Sequence, residues 1–189
     1  ALALRISAAV AEEPRFALVV GNADYTLGIL KNPVNDARSM AAVLLESGFE
    51  TTLVENATLA EFGAAVEAFA AKLPEQSVAL FYYAGHGTLN ADNGEGFYLV
   101  PSEVTRMVDD AEQLDAKCIS DAELKNNLTQ LKSQKIVVIM DACHSGAAVS
   151  TIAVRAAGSE EKSIRMLSRS SGVHIFASTG TKQYAAEFE

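Results

Sequence analysis

Two apolar runs constrain this chain most. They are Ser77-Val78-Ala79-Leu80-Phe81-Tyr82-Tyr83 and Ile136-Val137-Val138-Ile139-Met140, and each is continuous rather than alternating. A strand with one wet face alternates apolar and polar residues. A run that is apolar throughout and rich in β-branched or aromatic residues reads as a strand covered on both sides, as in a parallel sheet. Three further strands are expected at Phe16–Val20, Phe49–Val54 and Val173–Ala177. Helix patterns separate them. Asn32-Pro33-Val34-Asn35-Asp36 is a turn with helix-start chemistry leading into Ala37–Ser47, with Gly48 as C-cap. Thr58 caps a helix running to about Leu73, with Glu61 at the capping-box position, and Pro74 stops it. Ser120 caps another from Asp121 to about Leu131, while residues 88–118 read as an irregular stretch around Gly96–Val100. Strand and helix alternating in this way predict an α/β fold, a mostly parallel sheet with helices on both faces.

Each of the two leading runs breaks off into a small-residue turn that carries reactive side chains. The first leads into Ala84-Gly85-His86-Gly87 and the second into Asp141-Ala142-Cys143-His144-Ser145-Gly146. Loops leaving the carboxyl ends of parallel strands build the site of an open α/β sheet. If the strands are neighbours, the His86 imidazole and the Cys143 thiol meet at one rim, a nucleophile beside a base. The amides of Gly87 and Cys143 are the candidate oxyanion-hole donors, since glycines on both sides of His86 let the loop approach closely. Cys118 has no such company and reads as a small buried hydrophobe. His144 and His174 read as packing or surface residues. Gly21-Asn22 after the first strand raises a nucleotide-binding alternative, but no Gly-rich phosphate loop follows.

Composition excludes several classes. The 189 residues make one domain, and a hydrophobic fraction of 49% against 21% charged residues is that of a globular chain. A net charge of -9 argues against nucleic acid, which requires clustered Lys and Arg. No apolar stretch is long enough to span a bilayer. Two cysteines without CxxC spacing exclude a disulfide scaffold and argue against a structural zinc site. Residues 1–14 read as an N-terminal arm or a signal-peptide remnant, placing the protein either in the cytoplasm or, if residues 1–11 are such a remnant, outside it. The stretch 147–171 is Ser-rich, dotted with Arg155, Lys162, Arg165 and Arg169, and reads as a basic linker.

From Arg15 to Glu189 the chain resembles the caspase-fold cysteine peptidases, the clan of caspases, paracaspases and metacaspases, and within it the bacterial metacaspase-like (orthocaspase) branch. The resemblance is carried by Ala17–Asn22, Asn32–Ala37, Tyr83–Gly87, Asp141–Gly146, Phe176–Thr179 and Ala185-Ala186-Glu187. It implies a caspase-like three-layer sandwich, with a large-subunit-like part over 15–146, the linker, and the start of a small-subunit-like part over 172–189. It also implies a further strand and helix after Glu187, before which this sequence ends.

The resemblance implies an endopeptidase with Cys143 as nucleophile and His86 as acid/base. The caspase signature has Gln where this chain has Asp141. That acid would repel an acidic side chain before the scissile bond and pair with a cationic one. By the same resemblance Asp36 and Glu187 fall on the other carboxylate positions of the pocket. The expected substrates are therefore proteins or peptides with Arg, or less fully Lys, at that position. Self-cleavage is expected at Arg155, Lys162, Arg165 or Arg169. No cofactor is required, and Asp92, Glu95, Asp109 and Asp110 show no calcium-ligand spacing, so a calcium dependence has no clear site. A monomer is expected rather than a dimer. The competing reading is a catalytically inactive caspase-fold interaction module.

Overall fold

The computed structural model describes residues 12–26, 28–89, 97–105, 111–133, 135–142 and 173–177. β1 (Arg15–Gly21), β2 (Phe49–Glu55), β3 (Val78–Ala84), β7 (Lys135–Asp141) and β8 (Val173–Ala177) form one sheet in the order β2-β1-β3-β7-β8. Every pairing in it is parallel. The two continuous apolar runs are thus adjacent central strands, as their burial on both faces demands. β2, at the edge, is only partly buried, in keeping with its mixed FETTLVE sequence.

Alternation of side chains sorts the core into two layers. Ala17, Val19, Leu80, Tyr82 and Ala84 face α1 (Pro33–Glu46), which buries Ala37, Ala41 and Leu44 against them. Leu18, Val20, Phe81, Tyr83, Val138 and Met140 face α2 (Leu59–Lys72) and α4 (Asp121–Thr129), whose Phe62, Phe69, Leu124 and Leu128 cover them. Burying a Phe such as Phe62 contributes about 2 kcal/mol. Helices on both faces of a parallel sheet make the three-layer sandwich.

The helix starts follow local chemistry. Thr58 and Glu61 form a reciprocal capping box at α2, and the Ser120 hydroxyl accepts from Glu123 N–H at 3.1 Å at α4. α1 begins earlier than its sequence suggests. Pro33 occupies the first turn, where its missing N–H costs nothing, so Asn32–Asp36 is the helix start itself. Gly48 closes it at φ +81°.

The described residues of the stretch 88–118 carry regular structure that was not expected. β4 (Gly87–Leu89), β5 (Phe97–Leu99) and β6 (Ile119–Ser120) make a small antiparallel sheet, with α3 (Ala111–Lys117) before β6. Strands of two or three residues have no readable period, so only the pairing reveals them. Beneath this sheet Tyr25, Tyr98, Val100, Val104, Leu114 and Cys118 form a third apolar cluster. Cys118 is buried there, and burial pushes its thiol up to about 11. His174 is exposed on β8. No helix among the described residues is long and apolar enough to cross a membrane.

Candidate active site

β1, β3 and β7 end level with one another. Gly21 pairs with Ala84, and Ala84 with Asp141. The chain leaves β3 through Gly85 into His86, and the Gly85 N–H donates to the Asp141 carbonyl at 3.2 Å. His86 therefore stands two residues beyond Ala84, and Cys143 two residues beyond its partner Asp141. Cys143, together with His144, the linker 147–171 with Arg155, Lys162, Arg165 and Arg169, and Glu187, lies outside the described residues.

Gly85 is a glycine because nothing larger fits. At φ +157° an added Cβ would come within 2.6 Å of the Tyr25 hydroxyl and 2.7 Å of the Tyr83 hydroxyl. Those two phenols lie directly under the turn. The Tyr25 hydroxyl accepts from His86 N–H at 3.0 Å and donates to the Val100 carbonyl at 3.1 Å. The Tyr83 hydroxyl donates to the His86 carbonyl at 3.0 Å. Val100 N–H donates to the same His86 carbonyl at 3.1 Å. Burial pushes Tyr25 up to about 12 and Tyr83 well above its ordinary value, so both remain neutral donors across the working range.

His86 itself is half-buried, and its Nε2 lies 3.3 Å from the Gly28 carbonyl. A carbonyl only accepts, so in the neutral ring the proton is on Nε2 and the lone pair is on Nδ1. The ring packs against Tyr25, with centroids 4.5 Å apart and planes at 59°. Gly87 opens β4 opposite Leu99. Because Val100 N–H donates to His86 C=O, Gly87 and Leu99 form a non-hydrogen-bonded pair, and the Gly87 N–H is turned away from β5.

Asp141 lies on the α1 face of the sheet, two positions along β7 from Ile139, which packs into that layer. Asp36 lies in the first turn of α1, close to the rim because Gly21 lets the helix sit tightly on the end of β1. A Cβ there would meet Ala37 Cβ at 2.5 Å and the Pro33 carbonyl at 2.8 Å. Tyr82, on the same face, is held neutral by burial and then by the nearby charges of Asp141 and Asp36. The two acids thus share one side of the rim. Glu187 cannot be placed with them.

Sequence reasoning missed the supports of this site. Asn22 is buried, its Oδ1 accepting from Ala57 N–H at 2.8 Å and its amide reaching the Ala57 and Val100 carbonyls at 3.4 Å. Its polar atoms tie β1 to the loop before α2, a structural role for the residue that follows Gly21. Asn56, in the left-handed region at φ +51°, accepts from Ala23 and Asp24 N–H at 2.9 and 3.0 Å. A readable signal existed: polar residues directly after a buried parallel strand stand where such folds build their sites. Among the described residues no group of His, Cys, Asp and Glu is arranged to hold a metal ion.

The arrangement is that of an open α/β sheet in which the parallel central strand β3 delivers the His86 imidazole to one rim and its neighbour β7 ends level with it. The caspase-domain family model matches residues 14–189, so the chain belongs to the caspase-domain family of cysteine peptidases. Among solved structures it is similar to the crystal structure of protein GSU0716 from Geobacter sulfurreducens, a Northeast Structural Genomics target, with a TM-score of 0.56 at 24% identity. That alignment covers 73% of this chain and 54% of the other, so the chain spans about half the length of that neighbour and the likeness is one of fold. A search of curated proteins finds no match.

Proposed function

We propose that the protein is a cysteine endopeptidase of metacaspase-like, orthocaspase character that cuts after Arg, and less readily after Lys. The Cys143 thiolate attacks the scissile carbonyl carbon. The His86 Nδ1 takes the thiol proton and returns it to the departing amine, leaving a thioester on Cys143. Water, deprotonated by the same ring, then releases the acid and restores the thiol. The amides of Gly87 and Cys143 receive the developing oxyanion.

One observation carries this reading. The pairing of Ala84 with Asp141 levels the ends of the two strands that precede the His86 and Cys143 motifs in sequence, and the Gly28 carbonyl beside His86 Nε2 supports a lone pair on Nδ1 for the proton transfer. Specificity for a cation is supported by Asp141 and Asp36 on one side of the rim, and the resemblance assigns Glu187 as a third acid. Substrates are cationic peptides and proteins. The enzyme works as a monomer and needs no cofactor, and the net charge of -9 favours such substrates over nucleic acid. Its own linker, with Arg155, Lys162, Arg165 and Arg169, is a substrate of the same specificity.

A panel of fluorogenic peptides with Arg, Lys or Asp before the scissile bond, with and without calcium, tests the proposal. Turnover of the Arg peptide together with covalent probe labelling at Cys143 supports it. A protein that neither turns over nor labels is the inactive interaction module instead.

A further inference from the structure

We propose that Tyr25 is a positioning residue for the His86 imidazole, a role that rests on the peptidase reading above. Tyr25 lies in the loop between β1 and α1, and no more than 1% of it is exposed. It meets His86 in three ways. Its hydroxyl oxygen receives the His86 N–H at 3.0 Å. Its ring lies against the imidazole at 4.5 Å. Its carbonyl accepts the Gly28 N–H at 3.2 Å, which sets the turn whose own carbonyl reaches His86 Nε2.

Counting protons shows what the hydroxyl supplies. Tyr25 and Tyr83 have one hydroxyl proton each. Tyr25 directs its proton to the Val100 carbonyl at 3.1 Å or to the Tyr83 oxygen at 3.3 Å, and Tyr83 to the His86 carbonyl at 3.0 Å or the Val100 carbonyl at 3.1 Å; in either arrangement the Tyr25 oxygen keeps a lone pair for the His86 N–H. Without that oxygen the half-buried His86 N–H loses its acceptor, and the turn above Gly85 can shift. The ring contact acts separately, limiting rotation of the imidazole about its Cβ–Cγ bond. Together they hold Nδ1 in one direction. An attacking thiol needs its base aligned to within a fraction of an ångström, so a loosened imidazole reduces the chemical step more than substrate binding.

Tyr25→Phe keeps the ring and deletes the oxygen, and Tyr25→Leu deletes both. Turnover is measured per competent site, counted by covalent titration of Cys143, so that misfolded protein does not enter. We expect kcat per site to fall about tenfold in Tyr25→Phe and about a hundredfold in Tyr25→Leu, with KM within about twofold of wild type. The acid limb of the kcat–pH profile moves with it. Tyr98→Phe is the control, because that tyrosine belongs to the same buried cluster and its hydroxyl donates to Asp115 at 2.9 Å. It should lose stability and keep kcat per site. If Tyr25→Phe does not fold, 3-fluorotyrosine at position 25 weakens the hydroxyl as an acceptor and is read the same way. Wild-type kcat per site and an unshifted pH profile in Tyr25→Phe, or in the fluorotyrosine protein where Tyr25→Phe does not fold, overturn the proposal while leaving the peptidase reading intact. A wild-type protein without turnover or labelling overturns the peptidase reading, and this proposal with it.

Discussion

Ala84 at the end of β3 faces Asp141 at the end of β7, and the backbone of the next residue, Gly85, hydrogen-bonds across to the Asp141 carbonyl. This pairing ties the two chemical motifs to one frame of reference. A one-residue slip of β7 against β3 would unlevel the two strand ends and turn Asp141 to the opposite face.

Cys143→Ala should abolish turnover, and His86→Ala should reduce it about 10²- to 10⁴-fold, the usual cost of losing the base. Initial rates on an Arg peptide measure both. Near-normal activity of Cys143→Ala would end the assignment of the pair.

Cleavage should prefer Arg strongly and reject Asp. Asp141→Ala is expected to cost about 2–5 kcal/mol of transition-state binding on Arg peptides, by removing the partner of a desolvated charge. Neutral peptides should lose far less. Asp36→Ala should follow the same pattern more weakly, since Asp36 is more exposed than Asp141. Equal losses of kcat/KM on both peptide types would mean that Asp141 only shapes its loop.

Purified wild-type protein should contain fragments ending at Arg155, Lys162, Arg165 or Arg169, and Cys143→Ala protein should not. Mass spectrometry decides the matter. An intact chain in an active preparation, or the same fragments in the mutant, would count against self-processing.

Gly85→Ala should remove activity and destabilise the fold, because its Cβ would collide with two phenol oxygens at 2.6 and 2.7 Å. A loss of about 2–4 kcal/mol is expected from overpacking at a constrained backbone position. Urea unfolding beside the Arg-peptide assay reads both effects. Wild-type stability would show that the tyrosines can move aside.

Stability should decline at alkaline pH. Cys118 is raised from 9.0 to about 11 and Tyr25 from 10.0 to about 12, both chiefly by burial. Between the ordinary and the raised value the unfolded chain has lost a proton that the folded chain retains, so stability falls as pH rises. Each group should withdraw on the order of 2 kcal/mol, Cys118 over pH 9–11 and Tyr25 over pH 10–12. Urea unfolding at half-unit steps measures the slope, and Cys118→Ala should flatten its lower part. A level profile from pH 9 to 12 would contradict the burial of both groups.

Much of this protein is legible from residue order alone. The apolar runs of β3 and β7, the capping box at Thr58 and Glu61 and the Ser120 cap rest on chemistry within a few residues, so local sequence specifies them. The glycines around His86 mark the rim at the end of β3 for the same reason. The first helix starts at Pro33, four residues before the expected Ala37, because Pro-Val-Asn-Asp suits a turn and a first helical turn equally well. The sheet β4-β5-β6 left no sign, since its strands are too short to show a period and join residues far apart in the chain.

By itself the sequence determined the fold class and the family to which the two motifs belong, because strand burial, capping and motif composition are properties of neighbouring residues. Only the tertiary structure decided which strands adjoin, that Asp36 and Asp141 share a side, and how the imidazole is held. Tyr25, Gly28, Tyr83 and Val100 reach His86 from three separate segments. Their hydrogen bonds form only when the packed core brings those segments together, and no local pattern encodes a contact whose partners meet through folding.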